Sequence, residues 1–354
     1  MRKIIFATLV AAALAAPAFA AAPKYSVALI GNANSDVGSA LNDLGHVVTY
    51  GYTPQLELVS TLNMGNQTVA LGSLGGSTRA NDLNNIDQVV GNSAISKGGA
   101  QHAFLYTSGA MQDLGTLGGA SSNAVAINNA GTVVGTSDLA SGGDQHAFIY
   151  TASHGMTDIG TLGGNYSEAL DVNAHGDVLG RSKTVDGAMH TFLYSKGVMT
   201  DLTASAGLPS DATYLRFGGN GEIIGQALDP MLAQTTSYTY INNHYTNRGT
   251  DALMDLSGDK SLLNAYAGGG WLQVGPDRIL YSDLLAASPG EPGWAEVNSA
   301  ISLNARGQIL AYGVDIDGKN FTLLMTPVPE PATWAMLFAG LGLIAWQRRR
   351  SARA

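Results

Sequence analysis

Three histidines recur at one interval. His102, His146 and His190 are each 44 residues apart, and each opens a His-x-Phe-x-Tyr run. Asp113, Asp158 and Asp201 follow them by 11 or 12 residues. Imidazole and carboxylate at fixed spacing could bind a metal or pass protons. Zinc, however, needs three or four ligands converging at about 2 Å. Residues that occur once per copy of a motif are spread over successive copies instead. The expected role is structural: each His, at a strand start, locks a hairpin to a neighbouring turn, and each Asp accepts turn hydrogen bonds. No catalytic residue and no protein-held metal are expected.

Other motifs are weaker. Leu-Gly-Gly at 74–76, 117–119 and 162–164 has no following helix to cradle a phosphate, and reads as tight turns between units. Asp315-Ile316-Asp317-Gly318 echoes a calcium loop, but Phe321 and Leu323 follow where more oxygen ligands are needed. Asp138, Asp144 and Asp186 stand in equivalent loops, so calcium is the one cofactor to consider. There is no Gly-x-Ser-x-Gly elbow, no His-Glu-x-x-His helix and no Walker loop.

These residues belong to a repeat. Met111-Gln-Asp-Leu-Gly-Thr-Leu-Gly-Gly is matched from Met156 and, more loosely, from Val69; weaker copies start at Ala40, Leu215, Ala265 and Ser302. Their turn residues are Gly45, Asp87, Gly131, Gly176, Gly221, Gly270 and Gly307. Each unit holds four short apolar, β-branched or aromatic runs between Gly and Asn turns, a hairpin signal. Four strands roughly every 44 residues is the pattern of a β-propeller, here all-β with seven four-stranded blades. The run Tyr25–Ile30 resembles the fourth strand of a unit, and Phe321–Met325 the third. The N-terminal strand would thus complete the last blade and leave no open edge. A β-solenoid is the alternative, but it would need capping ends.

Composition narrows the function. Only 13% of the 354 residues are charged, against 45% hydrophobic. A net charge of −9 argues against a nucleic-acid surface. With no Cys, disulfides, thiolate metal sites and cysteine nucleophiles are excluded. Tyr50, Tyr52, Tyr166, Tyr214, Tyr245 and Trp294 are candidates for stacking on sugars, and equally for core packing.

Both ends read as addresses. Arg2 and Lys3, an apolar run, and then Ala18-Phe19-Ala20 form a secretory signal peptide, residues 1–20, with cleavage after Ala20. Its partners are the Sec export machinery and signal peptidase. At the other end, Val328-Pro329-Glu330-Pro331 leads into an apolar run from Ala332 to Trp346, followed by Arg348, Arg349 and Arg350. A Trp at each edge and a basic stop suit a short transmembrane helix with its Arg cluster in the cytoplasm. It is shorter than the roughly 20 residues of a comfortable span.

That tripartite tail resembles the PEP-CTERM sorting signal of Gram-negative bacteria. The resemblance implies recognition of Pro329, Glu330, Pro331 and the Arg cluster by an exosortase-type membrane enzyme, and an association with exopolysaccharide and biofilm matrix. The repeat, closest over Val69 to Asp201, resembles the HAF family of extracellular bacterial repeats, with Thr191 replacing the Ala of the third triplet. No activity comes with it.

The domain organisation expected is therefore signal peptide 1–20, HAF-repeat propeller 21–326 and sorting tail 327–354. The function expected is a non-enzymatic repeat protein, exported to the cell envelope or extracellular matrix and at least transiently anchored in the inner membrane by its tail. Its partners would be polysaccharide or envelope proteins. The alternative is a secreted propeller enzyme acting on glycans. That needs paired carboxylates about 5–10 Å apart, hidden in the degenerate units 40–66 and 203–300.

Overall fold

The computed structural model describes residues 24–328, apart from 33–34, 141, 211, 220, 230–233, 258–259, 265–269, 275 and 286–293. Ala18, Ala20, Pro329, Glu330, Pro331, Arg348, Arg349, Arg350 and the apolar segment before the Arg cluster lie outside the described residues. Among the described residues no helix is long and apolar enough to cross a membrane.

Tyr25–Pro327 forms one compact unit of β-propeller type, a series of four-stranded antiparallel sheets. The chain begins with β1 (Lys24–Ile30). The first complete sheet is β2 (Asp36–Leu41), β3 (Val47–Tyr52), β4 (Leu58–Asn63) and β5 (Thr68–Ala70). Next come β6 (Thr78–Leu83), β7 (Val89–Ala94), β8 (Gln101–Thr107) and β9 (Ala110–Asp113).

Then follow β10 (Gly118–Ile127), β11 (Val133–Leu139), β12 (Gln145–Thr151) and β13 (Gly155–Asp158). These join β14 (Gly163–Val172), β15 (Val178–Thr184), β16 (Met189–Ser195) and β17 (Val198–Asp201) through one parallel pair, Gln145 with Tyr166. After the five-residue helix α1 (Leu202–Ala206) come β18 (Thr213–Phe217), β19 (Ile223–Asp229), β20 (Gln234–Ile241) and β21 (His244–Gly249).

The next sheet is β22 (Ala252–Ser257), β23 (Lys260–Asn264), β24 (Gly270–Val274) and β25 (Asp277–Leu280), followed by α2 (Tyr281–Leu285). The last contains β26 (Trp294–Leu303), β27 (Ile309–Asp315) and β28 (Asn320–Val328), with β1 as its fourth strand.

The second strand of each sheet carries the strongest local signal. Val89-Val90, Val133-Val134 and Val178-Leu179 are wholly buried pairs of adjacent residues. A sheet stacked between two neighbours is dry on both faces, so its strand reads as a short continuous apolar run rather than an alternation. The Gly after each pair is required by close approach. A Cβ on Gly91, Gly135 or Gly180 would collide with the carbonyl oxygen of Arg79, Asn123 or Glu168 on the first strand.

That first strand is bulged in every complete sheet, as at Ala80/Asp82, Ala124/Ala126 and Ala169/Asp171. A bulge leaves an amide without its ladder partner.

The sixth unit corrects the sequence reading. Its first hairpin closes between Ser257 and Lys260, not at Gly270, which begins the third strand. At Gly270 a Cβ would collide with the carbonyl of Leu263, so the Gly answers a packing demand inside the sheet. The Leu-Gly-Gly motifs also differ from simple turns. Gly118 and Gly163 are the first residues of β10 and β14, and Leu117 and Leu162 donate their amides to Ser137 and Ser182 at 2.8 Å.

β1 is fixed by side chains as well as by pairing. Tyr25, 1% exposed, and Val27 pack with Ile309, Leu323 and Met325. The Tyr25 hydroxyl donates to the Gly307 carbonyl at 3.2 Å.

Candidate functional site: the channel between the first strands

The bulged first strands line a cavity of about 410 Å³ and an adjoining one of about 620 Å³ that shares Asp82, Asp171, Arg216 and Ser302 with it. One repeat position lines it. In chain order the residues there are Ala40, Asp82, Ala126, Asp171, Arg216, Asp255 and Ser302. Three carboxylates and one guanidinium thus converge where an apolar strand would otherwise pack.

The carboxylates have a common job. Asp82 accepts the amide of Leu83 at 2.8 Å with one oxygen, and with the other the amide of Ile127, in the next sheet, at 2.9 Å. Asp171 does the same for Val172 at 2.8 Å and Phe217 at 2.7 Å. Asp255 does so for Leu256 and Leu303, both at 2.8 Å. Each therefore satisfies two amides, one beside its own bulge and one in the neighbouring sheet. The alternation of Asp with Ala, Arg or Ser follows: one carboxylate serves two sheets.

Arg216 lies within the same ring. It donates to the Met254 carbonyl at 3.1 Å and approaches the Asp255 carboxylate at 3.7 Å. Burial pushes the Asp82 carboxyl up to about 7, and the negative Asp171 adds to the rise against the two amides. Burial also raises Asp171, opposed by Arg216.

The rim is built from asparagines. Asn42 donates its side-chain amide to the Asn84 carbonyl, Asn84 to Asn128, Asn128 to Asn173 and Asn304 to Asn42, all at 2.9–3.0 Å. Each Oδ1 caps its own turn; that of Asn84 accepts the amides of Ile86 and Gln88. Gly218 and Ser257 break the series, and there the Gly219 amide donates to the Leu256 carbonyl at 2.9 Å.

Away from the channel, the repeated His and Asp are brought together in pairs. Nδ1 of His102 lies 2.9 Å from Asp113, that of His146 2.8 Å from Asp158, and that of His190 2.7 Å from Asp201. Asp113 and Asp158 also accept the amides of Gly115 and Gly160 at 2.7 Å. Asp201 instead caps α1 through the Ala204 amide. Each pair joins the third strand of a sheet to the end of the fourth. A further pair, His46 with Asp87 at 2.7 Å, crosses between sheets and has no counterpart in the sequence motif.

The loop carboxylates are engaged locally. Asp138 accepts the Ser121 amide at 3.0 Å and Gln145 at 2.7 Å, and Asp315 accepts the amides of Asp317 and Lys319, both at 2.9 Å. Among the described residues no group of three His, Asp or Glu could hold a metal ion.

The aromatic candidates divide. Tyr52 is 62% exposed and Tyr245 38%, the latter stacked on the buried Tyr238. Arg79 covers the ring of Tyr50. Tyr166 donates to Glu168 at 2.9 Å, and burial pushes its hydroxyl up to about 12. The side chains of Tyr214 and Trp294 lie outside the described residues.

Sequence reasoning missed Asp82, Asp171, Arg216 and Asp255. The signal was present: a polar residue recurring two positions before the turn residue Asn84, Asn173, Gly218 or Ser257.

Comparison with known proteins adds one motif and a fold likeness. Residues 327–351 match the PEP-CTERM protein-sorting motif. No curated protein sequence matches the chain significantly. Among solved structures, TolB from Acinetobacter baumannii is 13% identical, with a TM-score of 0.43 over 81% of this chain. This chain spans 65% of the TolB chain. YCF48 bound to D1 peptide is 11% identical, with a TM-score of 0.47, covering 86% of this chain and 97% of that one. The BP39L lectin from Burkholderia pseudomallei is 10% identical, with a TM-score of 0.45, covering 86% and 99%. The sorting motif implies export and processing by an exosortase-type enzyme.

Proposed function

We propose that this chain is an exported, non-enzymatic repeat protein of the cell envelope or extracellular polysaccharide matrix. Its body is a closed ring of seven HAF-type blades. It crosses the membrane by the Sec route and is sorted by its tail, whose apolar segment anchors it at least transiently in the inner membrane. The single observation behind this reading is the sorting motif at 327–351, which begins within the closing strand of the propeller body. The Asn-rimmed channel mouth and the exposed Tyr52 offer polar and aromatic contacts to polysaccharide.

The test is intact mass of the protein from its own cells, taken separately from membranes and matrix, followed by retention of the purified body on matrix polysaccharide. Loss of both ends together with retention supports the reading. Failure to bind any matrix component removes the polysaccharide role.

A secreted glycan-active enzyme is the second reading. Asp82, whose carboxyl burial pushes up to about 7 beside the negative Asp171, is the observation that favours it. Against it, all three channel carboxylates are already occupied by backbone amides. Release of reducing ends from matrix polysaccharide, abolished by Asp82→Asn, would establish the enzyme instead.

A further inference from the structure

We infer that the seam between the last sheet and β2 holds a binding site for one uncharged sugar ring, stacked on Tyr312. This deepens the polysaccharide reading above and rests on it.

The seam contains a cavity of about 390 Å³, walled by β2, β26, β27 and the start of β28. That volume lies in the range of small-ligand sites. Tyr312 on β27 and Phe321 on β28 supply aromatic surface. The Tyr312 hydroxyl donates across the seam to the Gly38 carbonyl at 2.7 Å. The ring is therefore fixed before any ligand arrives.

The next seam shows how the same space is filled elsewhere. Tyr50 is the fourth residue of β3, as Tyr312 is of β27. Arg79 covers the Tyr50 ring, its guanidinium carbon 4.7 Å from the centroid. Val37 holds in β2 the position of Arg79 in β6: each pairs with the fourth residue of its second strand, Tyr50 or Asn92. Val37 ends at its γ methyls and cannot reach over Tyr312 as Arg79 reaches over Tyr50. The closing seam thus keeps the aromatic platform and lacks its cover.

The polar groups are set by a local irregularity. β26 shifts register between Val297 and Ser299, in addition to the bulge at Ala300/Ser302 that corresponds to those of the other sheets. A bulge re-aims a side chain. Asn298 is the residue left over, and it lines the cavity with Ser299. Both are half-buried, and neither side chain hydrogen bonds to a described residue. The Asp36 carboxylate in the same wall is committed, accepting the Asn32 amide at 2.7 Å and the Ser35 hydroxyl at 3.2 Å.

The site therefore offers a fixed aromatic face, a carboxamide that donates and accepts, and a hydroxyl. Its one charge is already compensated by the protein. A pyranose matches this set. Its C–H face is apolar and packs on an aromatic ring, and the hydroxyls around its edge take hydrogen bonds from the amide and the serine.

The experiment uses the detergent-solubilised full chain. The probes are the methyl glycosides of glucose, mannose, galactose and N-acetylglucosamine, followed by saturation-transfer NMR. Retention on immobilised matrix polysaccharide from the producing cells is measured in parallel. At least one glycoside should bind, with strongest transfer to its C–H protons. Val37→Arg, which copies the cover that Arg79 gives Tyr50, should abolish that binding. Asn298→Ala should weaken it several-fold, as the loss of one hydrogen bond does. If Val37→Arg does not fold, Asn298→Ala carries the test alone.

Wild-type affinity in the folded variants overturns the site, and so does a wild type that binds none of the four glycosides. In either case retention on the polymer decides separately whether the polysaccharide reading survives. Glycoside binding that the variants lose, without retention on the polymer, keeps the site and removes the matrix role.

Discussion

The amide of Ile127 donates to the carboxylate of Asp82 at 2.9 Å, across the seam between two sheets. The same carboxylate holds the amide of its own neighbour, Leu83. Removing it leaves two amides without their acceptor. Asp82→Ala should lower unfolding free energy by about 2–3 kcal/mol. Asp82→Asn keeps an oxygen in place and should cost less. Denaturant unfolding of the body measures both.

The pH dependence of Asp82 follows from its raised carboxyl, about 7 when folded against the ordinary carboxylate value when unfolded. The folded state holds a proton that the unfolded state has released. The stabilisation is complete below the unfolded value, about 4, and is lost as pH rises through 7. Between those limits the group contributes a fall of about 1.4 kcal/mol per pH unit. The difference in Tm between wild type and Asp82→Asn should therefore shrink or reverse from pH 5 to 8. A constant difference would contradict the assignment.

The pair His146 and Asp158 should behave unequally. Asp158 holds the Gly160 amide as well as the imidazole, so Asp158→Ala should cost more than His146→Ala. Both side chains are partly solvated, and their coupling in a double-mutant cycle should be about 0.5–1 kcal/mol. The same cycle on His102 and Asp113 should give the same value, because the geometry repeats.

Asn84 joins two turns through four hydrogen bonds and is 3% exposed. Asn84→Ala should cost about 3 kcal/mol. Asn84→Asp keeps the turn-capping oxygen but sets an acceptor against the Asn128 carbonyl. It should be comparably destabilising, and more so as pH rises.

Much of this fold is legible because repetition turns a weak signal into a strong one. The pairs Val133-Val134 and Val178-Leu179, each followed by Gly, mark the doubly buried second strand wherever they occur. The spacing of His102, His146 and His190 gives the unit length. Legibility fails where a residue's partner lies in another sheet. Asp82 finds Ile127 45 residues away, so neither alternation nor local turn chemistry betrays it. The sixth unit failed for a different reason. Gly270 looks like a turn residue, but its lack of a Cβ is required by the Leu263 carbonyl beside it. The helices α1 and α2 are too short for periodicity to reveal.

The sheet that unites β1 with β28 makes the chain a circle with one break. Ser26 touches Thr326, although 300 residues separate them along the backbone. Where the circle is broken is then a matter of chain order, not of packing. A rearranged gene that joins Val328 to Lys24 and opens at Gly65, an uncrowded hairpin tip, should encode the same set of contacts. Such a product would move the closure to another sheet, where β5, now the first strand, must pair with β4, now the last.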